Sequence, residues 1–176
     1  MQKIVITGPE STGKTTLARQ LARQFGTCWV PEFARIYIGR LHRPYREDDL
    51  LEIAKGQVAL EDEMAAETDE LLFLDTSLEV IKIWAEFKFG KCHPWILEQL
   101  EKRRHDFYML CAPDLPWAFD PQRENPDDRH LLFRLYQDVL ISLRVNFCKI
   151  TGTGEMRKAR AIVVLNDLLE HRNHDK

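Results

Sequence analysis

Short uninterrupted apolar runs alternate along the chain with longer stretches in which apolar positions recur every three or four residues. The runs are 2–7 (QKIVIT), 27–30 (TCWV), 71–75 (LLFLD), 107–111 (FYMLC) and 146–151 (NFCKIT). Their shortness and lack of polar alternation predict strands buried on both faces. The longer stretches predict helices. Leu17, Leu21 and Phe25 share one face of 14–25, and Gly26 stands where a glycine ends a helix. Leu50, Leu51, Ile53, Ala54, Val58 and Ala59 make 47–67 amphipathic, with acids on the other face. Two more helices are predicted near 77–89 and 94–104. Asn125-Pro126-Asp127-Asp128 reads as the start of another, with Asn as N-cap and proline at the first helical position, running to about 145. After a turn at Gly152-Thr153-Gly154, residues Ala161, Ile162, Leu165, Leu168 and Leu169 stripe a last helix, and the tail HRNHDK is expected to fray. Strands separated by helices predict an α/β fold: a five-stranded parallel sheet with helices on both faces.

One segment breaks the pattern. Four of the eight prolines fall between Pro113 and Pro126, together with Asp114, Trp117, Asp120 and Arg123. This is an irregular loop, and a long loop in a compact domain is usually functional or disordered.

Length and composition narrow the possibilities. At 176 residues the expectation is a single domain, 1–176. Its 25 Lys+Arg against 28 Asp+Glu lack the basic excess of proteins that coat polyanions, so no nucleic-acid partner is expected. Four cysteines lie no closer than 19 residues apart with no CxxC, which excludes zinc and dithiol motifs, and Cys28, Cys111 and Cys148, in or beside apolar runs, read as reduced, buried thiols. The apolar stretch before Thr7 is three residues long and no run approaches 18, so neither a signal peptide nor a membrane span is expected, and the expected address is cytoplasmic.

Gly8-Pro9-Glu10-Ser11-Thr12-Gly13-Lys14-Thr15 fits G-x-x-x-x-G-K-[ST] at every required position. It follows an apolar strand and opens an amphipathic helix, the context the motif needs. Backbone N–H groups of such a loop turn inward to phosphate oxygens, and the positive end of the helix faces the same anion. Lys14 is then expected to reach the β- and γ-phosphates of ATP and the Thr15 hydroxyl to hold Mg²⁺. The fold class sharpens to a P-loop three-layer fold.

Ligands of open parallel sheets sit beyond the carboxyl ends of the strands. Asp75 ends the third run, which makes it a candidate for the metal or the catalytic step; its competing reading is a helix cap. Glu32 follows the second run, within 31–45, and is a candidate to accept a proton from a substrate hydroxyl or to hold a ribose, with Arg35 and Tyr37 beside it. The competing reading is an acid complementing a helix dipole. Residues 113–129 fit a lid whose Arg123 and Arg129 neutralise charge on a moving phosphoryl group. No NKxD guanine motif is present, and a mechanical ATPase would normally be longer. The pattern points to a kinase for a small hydroxyl acceptor, such as a nucleoside; a non-catalytic ATP-binding regulatory module is the alternative.

The ordered set GPESTGKTTLA, VPEFAR, FLDTS, KCHPW and APDLPWAFDPQR resembles the nicotinamide riboside (ribosylnicotinamide) kinase domain of NadR-type proteins, over nearly the whole chain. The resemblance implies a P-loop kinase that uses ATP to phosphorylate the 5′-hydroxyl of nicotinamide riboside, giving the mononucleotide. It implies Gly8, Pro9, Glu10, Ser11, Thr12, Gly13, Lys14, Thr15 and Thr16 as the ATP site, and Glu32, Arg35 and Asp75 as acceptor-side or catalytic candidates. Trp117, Asp120 and Arg123 correspond to the lid. Bifunctional relatives also carry an adenylyltransferase domain with an HxGH-type motif; no HxGH occurs here, so phosphoryl transfer without adenylyl transfer is expected. The substrate's pyridinium is a cation, which aromatic faces can hold, and Phe33, Tyr37, Trp84 and Trp95 are available, with core packing the competing reading for both tryptophans.

Overall fold

The computed structural model describes residues 1–174, and side chains over 1–170. The tail 171–176, expected to fray, lies outside the residues described in full. Five strands form one parallel sheet in the order β2-β3-β1-β4-β5: β1 (Gln2–Thr7), β2 (Cys28–Val30), β3 (Leu71–Asp75), β4 (Phe107–Cys111) and β5 (Phe147–Ile150).

The apolar runs are continuous because neighbouring residues enter different cores. Ile4, Ile6, Leu71, Phe73, Met109 and Cys111 pack on one face against α1 (Lys14–Phe25) and α7 (Gly154–His174). Val5, Leu72, Leu74, Tyr108 and Leu110 pack on the other, against α4 (Leu78–Phe89) and α6 (Arg129–Ser142). A third cluster lies beneath α2 (Phe33–Arg40), α3 (Glu47–Ala65), α4 and α5 (Pro94–Lys102), around Leu50, Ile53, Ile81 and Ile96. Each buried aliphatic side chain contributes about 1.5–3 kcal/mol, so the strands are held by burial on both sides. All four cysteines are free, and burial pushes the Cys111 and Cys148 thiols up to about 11, as expected of small hydrophobes. Among the described residues no helix is long and apolar enough to cross a membrane.

Both boundaries of α6 differ from expectation. α6 begins at Arg129 with Asp128 as N-cap, rather than at Asn125. The reason is tertiary: the N–H groups of Glu124 and Asn125 donate to the Glu10 carboxylate at 3.2 and 3.1 Å, so the chain there is tied to another loop. Its end is Ser142, not 145. α2 has no strong apolar period, and its one fully buried residue is Ala34.

The parallel order brings β1 between β3 and β4, and Ile6 lies level with Asp75. The phosphate-loop motif and the acid that ends β3 therefore emerge side by side at the carboxyl edge of the sheet.

Candidate active site

The segment between β1 and α1 is a tight loop built on backbone geometry. Gly8 has φ 134°, and a Cβ there would lie 2.7 Å from the Cys111 carbonyl oxygen, so both conformation and space require glycine. Gly13, the N-cap of α1, has φ 75° and no side-chain cap bond. The first N–H groups of α1 are thereby left for an anion. Ser11 adopts φ 57° without being glycine. Its hydroxyl accepts from Ala118 N–H at 2.9 Å, a contact that helps hold the strained residue. Thr12 and Lys14 both donate to the Pro9 carbonyl at 2.9 Å. Arg157 of α7, 4% exposed, fastens the loop from below: it donates to Thr12 O, to Ala112 O at 2.9 Å and to Gly152 O at 2.7 Å.

Two carboxyl groups face this loop. Asp75 is 1% exposed, and neither of its oxygens has a hydrogen-bond partner of ordinary geometry. Burial raises its pKa; Lys14, the adjacent Thr15 hydroxyl and Arg35 pull it back without cancelling the rise. Ser77, not Asp75, is the N-cap residue of α4. Glu32 occupies the N-cap position of α2, yet its carboxylate caps nothing and lies 3.4 Å from Arg35 Nε. Burial raises its pKa, Lys14 opposes this, and the Asp75 charge adds to the rise. Buried polar groups without partners are uncommon in folded proteins and mark places where a ligand, ion or water completes the set.

The segment linking β4 to α6 lies over the loop. Arg35 Nη1 pairs with Asp120 Oδ2 at 2.9 Å, and bonds from Gln122 N–H and Arg35 hold the Asp120 carboxyl below the usual range. Arg123 Nη1 donates to Ala118 O at 2.5 Å and lies 3.4 Å from Ser11 Oγ. Asp114 accepts from Gly152 N–H at 2.7 Å. Arg129 donates to Leu115 O at 2.8 Å and its guanidinium stands 5.9 Å from the Trp117 ring centre.

These elements enclose a cleft of about 700 Å³, partly open to solvent. Gly8, Glu10, Ser11, Thr12, Gly13, Lys14, Thr15 and Thr16 line it, with Glu32, Arg35 and Arg123 opposite. Pro9 is buried behind the loop and Asp75 beneath it. Two further expected residues lie outside the lining. Tyr37 donates to Asp49 at 3.0 Å, and Arg129 braces the base of the overlying segment. Of the four aromatic candidates only Trp84 lines the cleft. Phe33 packs on Gly56, and Trp95 on the α4–α5 core.

Sequence reasoning missed Tyr136, Val80 and Gln122 in the lining and Arg157 beneath it. Tyr136 and Val80 sit at helical core positions, where nothing marks a residue whose edge reaches a cleft. A neighbouring cleft of about 650 Å³ shares Glu10, Trp84 and Gln122 with the first and adds Tyr45, Phe87, Lys88, Glu124 and Asn125.

A family model described as an AAA domain matches residues 3–157. The trifunctional NAD biosynthesis/regulator protein NadR of Escherichia coli (strain K12) is 25% identical over 176 residues, covering 96% of this chain and 43% of that protein. A crystal structure of NadR protein in complex with NR superposes with a TM-score of 0.81 at 22% identity, covering 94% of this chain and 49% of that one. A second, of NadR protein in complex with NAD and AMP-PNP, gives 0.79 at 21%, with the same coverage of both chains. The chain thus spans less than half the length of the relatives it matches, and these structures share its fold.

Proposed function

We propose that this chain, which belongs to the AAA domain family (AAA_28), is an ATP-dependent kinase that phosphorylates a small hydroxyl acceptor, nicotinamide riboside. The observation that carries the reading is the pair of carboxyl groups, buried Asp75 and half-buried Glu32, on the acceptor side of a phosphate loop whose Lys14 opposes the pKa rise of both. The relatives support the same reading, since one solved NadR structure holds NR and another AMP-PNP.

Catalysis of phosphoryl transfer is mostly positioning and charge stabilisation. In our reading the loop N–H groups and Lys14 cradle the ATP phosphates, and Arg123 and Arg35 face the transferring group across the cleft. The residues present fit a divalent cation: Asp75 offers two buried oxygens without partners, and the Thr15 hydroxyl is beside it. When bound, Mg²⁺ would neutralise charge on the phosphates. That leaves Glu32, which lines the cleft, to orient the acceptor hydroxyl and take its proton. Residues 113–129 act as the lid, with Asp120 joined to Arg35 and Trp117 at its base. Trp84 and Tyr136 offer aromatic edges or faces to a pyridinium ring, a contact worth about 0.5–2 kcal/mol, and Glu10 and Glu32 favour a cation.

A panel of acceptors with ATP and Mg²⁺ tests this. ADP formation should depend on nicotinamide riboside, and Lys14→Ala should abolish it. Turnover with a deoxynucleoside but not nicotinamide riboside would refute the acceptor. Tight ATP binding with no acceptor-stimulated turnover would refute the kinase.

A further inference from the structure

An acid at a helix N-cap ordinarily folds its carboxylate back onto the N–H of the second or third helical residue, because those donors have no partner within the helix. Glu32 holds that position in α2 and makes no such bond. The third helical N–H, of Arg35, bonds the Glu32 carbonyl at 3.2 Å instead, and a side chain from another helix holds the first. Gln57 of α3, 3% exposed, accepts from Phe33 N–H through Oε1 at 2.8 Å, while its Nε2 donates to Pro31 O at 3.4 Å. The two ends of one amide thus bracket Glu32 along the backbone. The preceding residue fixes the approach: Gly56 lies against the Phe33 ring so closely that a Cβ there would be 2.0 Å from it. Phe33 rests on bare α3 backbone, which sets how near α2 lies to α3 and keeps the amide in reach.

We propose that Gln57 is a positioning residue for phosphoryl transfer. It clamps the backbone on both sides of Glu32, so the Glu32 side chain is held facing the cleft, toward Arg35 and the acceptor. Gln57 is absent from the cleft lining and acts only through Glu32. The role rests on the reading of Glu32 as the acceptor-side group.

Gln57→Met keeps the length and removes both hydrogen bonds; Gln57→Glu keeps the acceptor for Phe33 N–H. Gln57→Met should lower kcat by about ten-fold or more while the KM for ATP stays within about two-fold, and Gln57→Glu should retain more of kcat than Gln57→Met. Because both changes act through one carboxylate, Glu32→Gln combined with Gln57→Met should be no slower than Glu32→Gln alone. A crystal structure of Gln57→Met should show Glu32 shifted from its place on the cleft wall. A lower melting temperature with unchanged kcat, or rate losses that multiply in the double variant, would overturn the proposal, as would Glu32 unmoved in that crystal structure. Full activity of Glu32→Gln would instead defeat the reading of Glu32, and the crystal structure would still decide whether Gln57 governs its orientation. If Gln57→Met does not fold, Gln57→Asn shortens the reach by one methylene and carries the same comparison.

Discussion

Glu32 and Asp75 share a functional group, and their surroundings separate them. Asp75 is sealed at the end of β3, whereas Glu32 lines the open cleft. Burial raises Glu32 while Lys14 and Arg35 pull it down, and the net direction is upward. This has a consequence for stability. Below the unfolded-state pKa the group is protonated in both states and imposes no penalty. As pH rises, the unfolded chain ionises first, and the native state loses stability up to and through the raised native pKa. Glu32→Gln removes that loss. In nucleotide-free, metal-free protein, the melting temperature of Glu32→Gln relative to the parent should therefore climb between pH 4 and pH 8. A difference that stays constant over that range would show that the native carboxyl is not raised. The residue types at positions 14, 32 and 75 were readable as chemistry in the sequence. Their mutual influence was not, because it depends on distances across three separate elements.

At the scale of elements, the α3 N-terminus shows how a polar residue can be claimed by structure. The Asp49 carboxylate accepts from Arg46 N–H at 2.6 Å, from Arg43 at 2.7 and 2.9 Å and from Tyr37 Oη at 3.0 Å. These bonds hold its carboxyl well below the usual range, the Arg43 pair foremost. Tyr37 thus links α2 to α3. Tyr37→Phe should cost about 0.5–1.5 kcal/mol in chemical denaturation and leave the KM of the acceptor unchanged; a raised KM would return Tyr37 to the substrate. Strands and the long helices were legible because burial on one or two faces writes a period into the sequence. α2 was not, since eight residues whose first N–H is held by a remote glutamine carry little local signal. The start of α6 was misread because Glu10, far away in sequence, holds Glu124 and Asn125 out of it.

For the molecule as a whole, the question is how the phosphate loop and the overlying 113–128 segment move together. Glu10 and Ser11 of the loop both bond to that segment's backbone, and Glu124 continues outward to Tyr45 and Lys88 at 2.8–2.9 Å. An element held by few, solvent-facing bonds opens more readily than a core strand. Glu10→Ala should therefore speed amide exchange at Glu124 and Asn125 selectively, leaving β1 and β3 protected. Equal acceleration across the sheet would mean that Glu10 supports global stability instead.

The sequence by itself determined the layers, the phosphate loop and the lysine and hydroxyl residues within it. Periodicity and short-range spacing are local properties, and each strand and loop carries its own. Only the tertiary structure decided which acids face that loop, that Trp84 and Tyr136 reach the cleft while Tyr37 turns away, and that Gln57 holds the backbone on both sides of Glu32. Those outcomes are set by hydrogen bonds and contacts between elements tens of residues apart, and such pairings leave no period for a sequence to show.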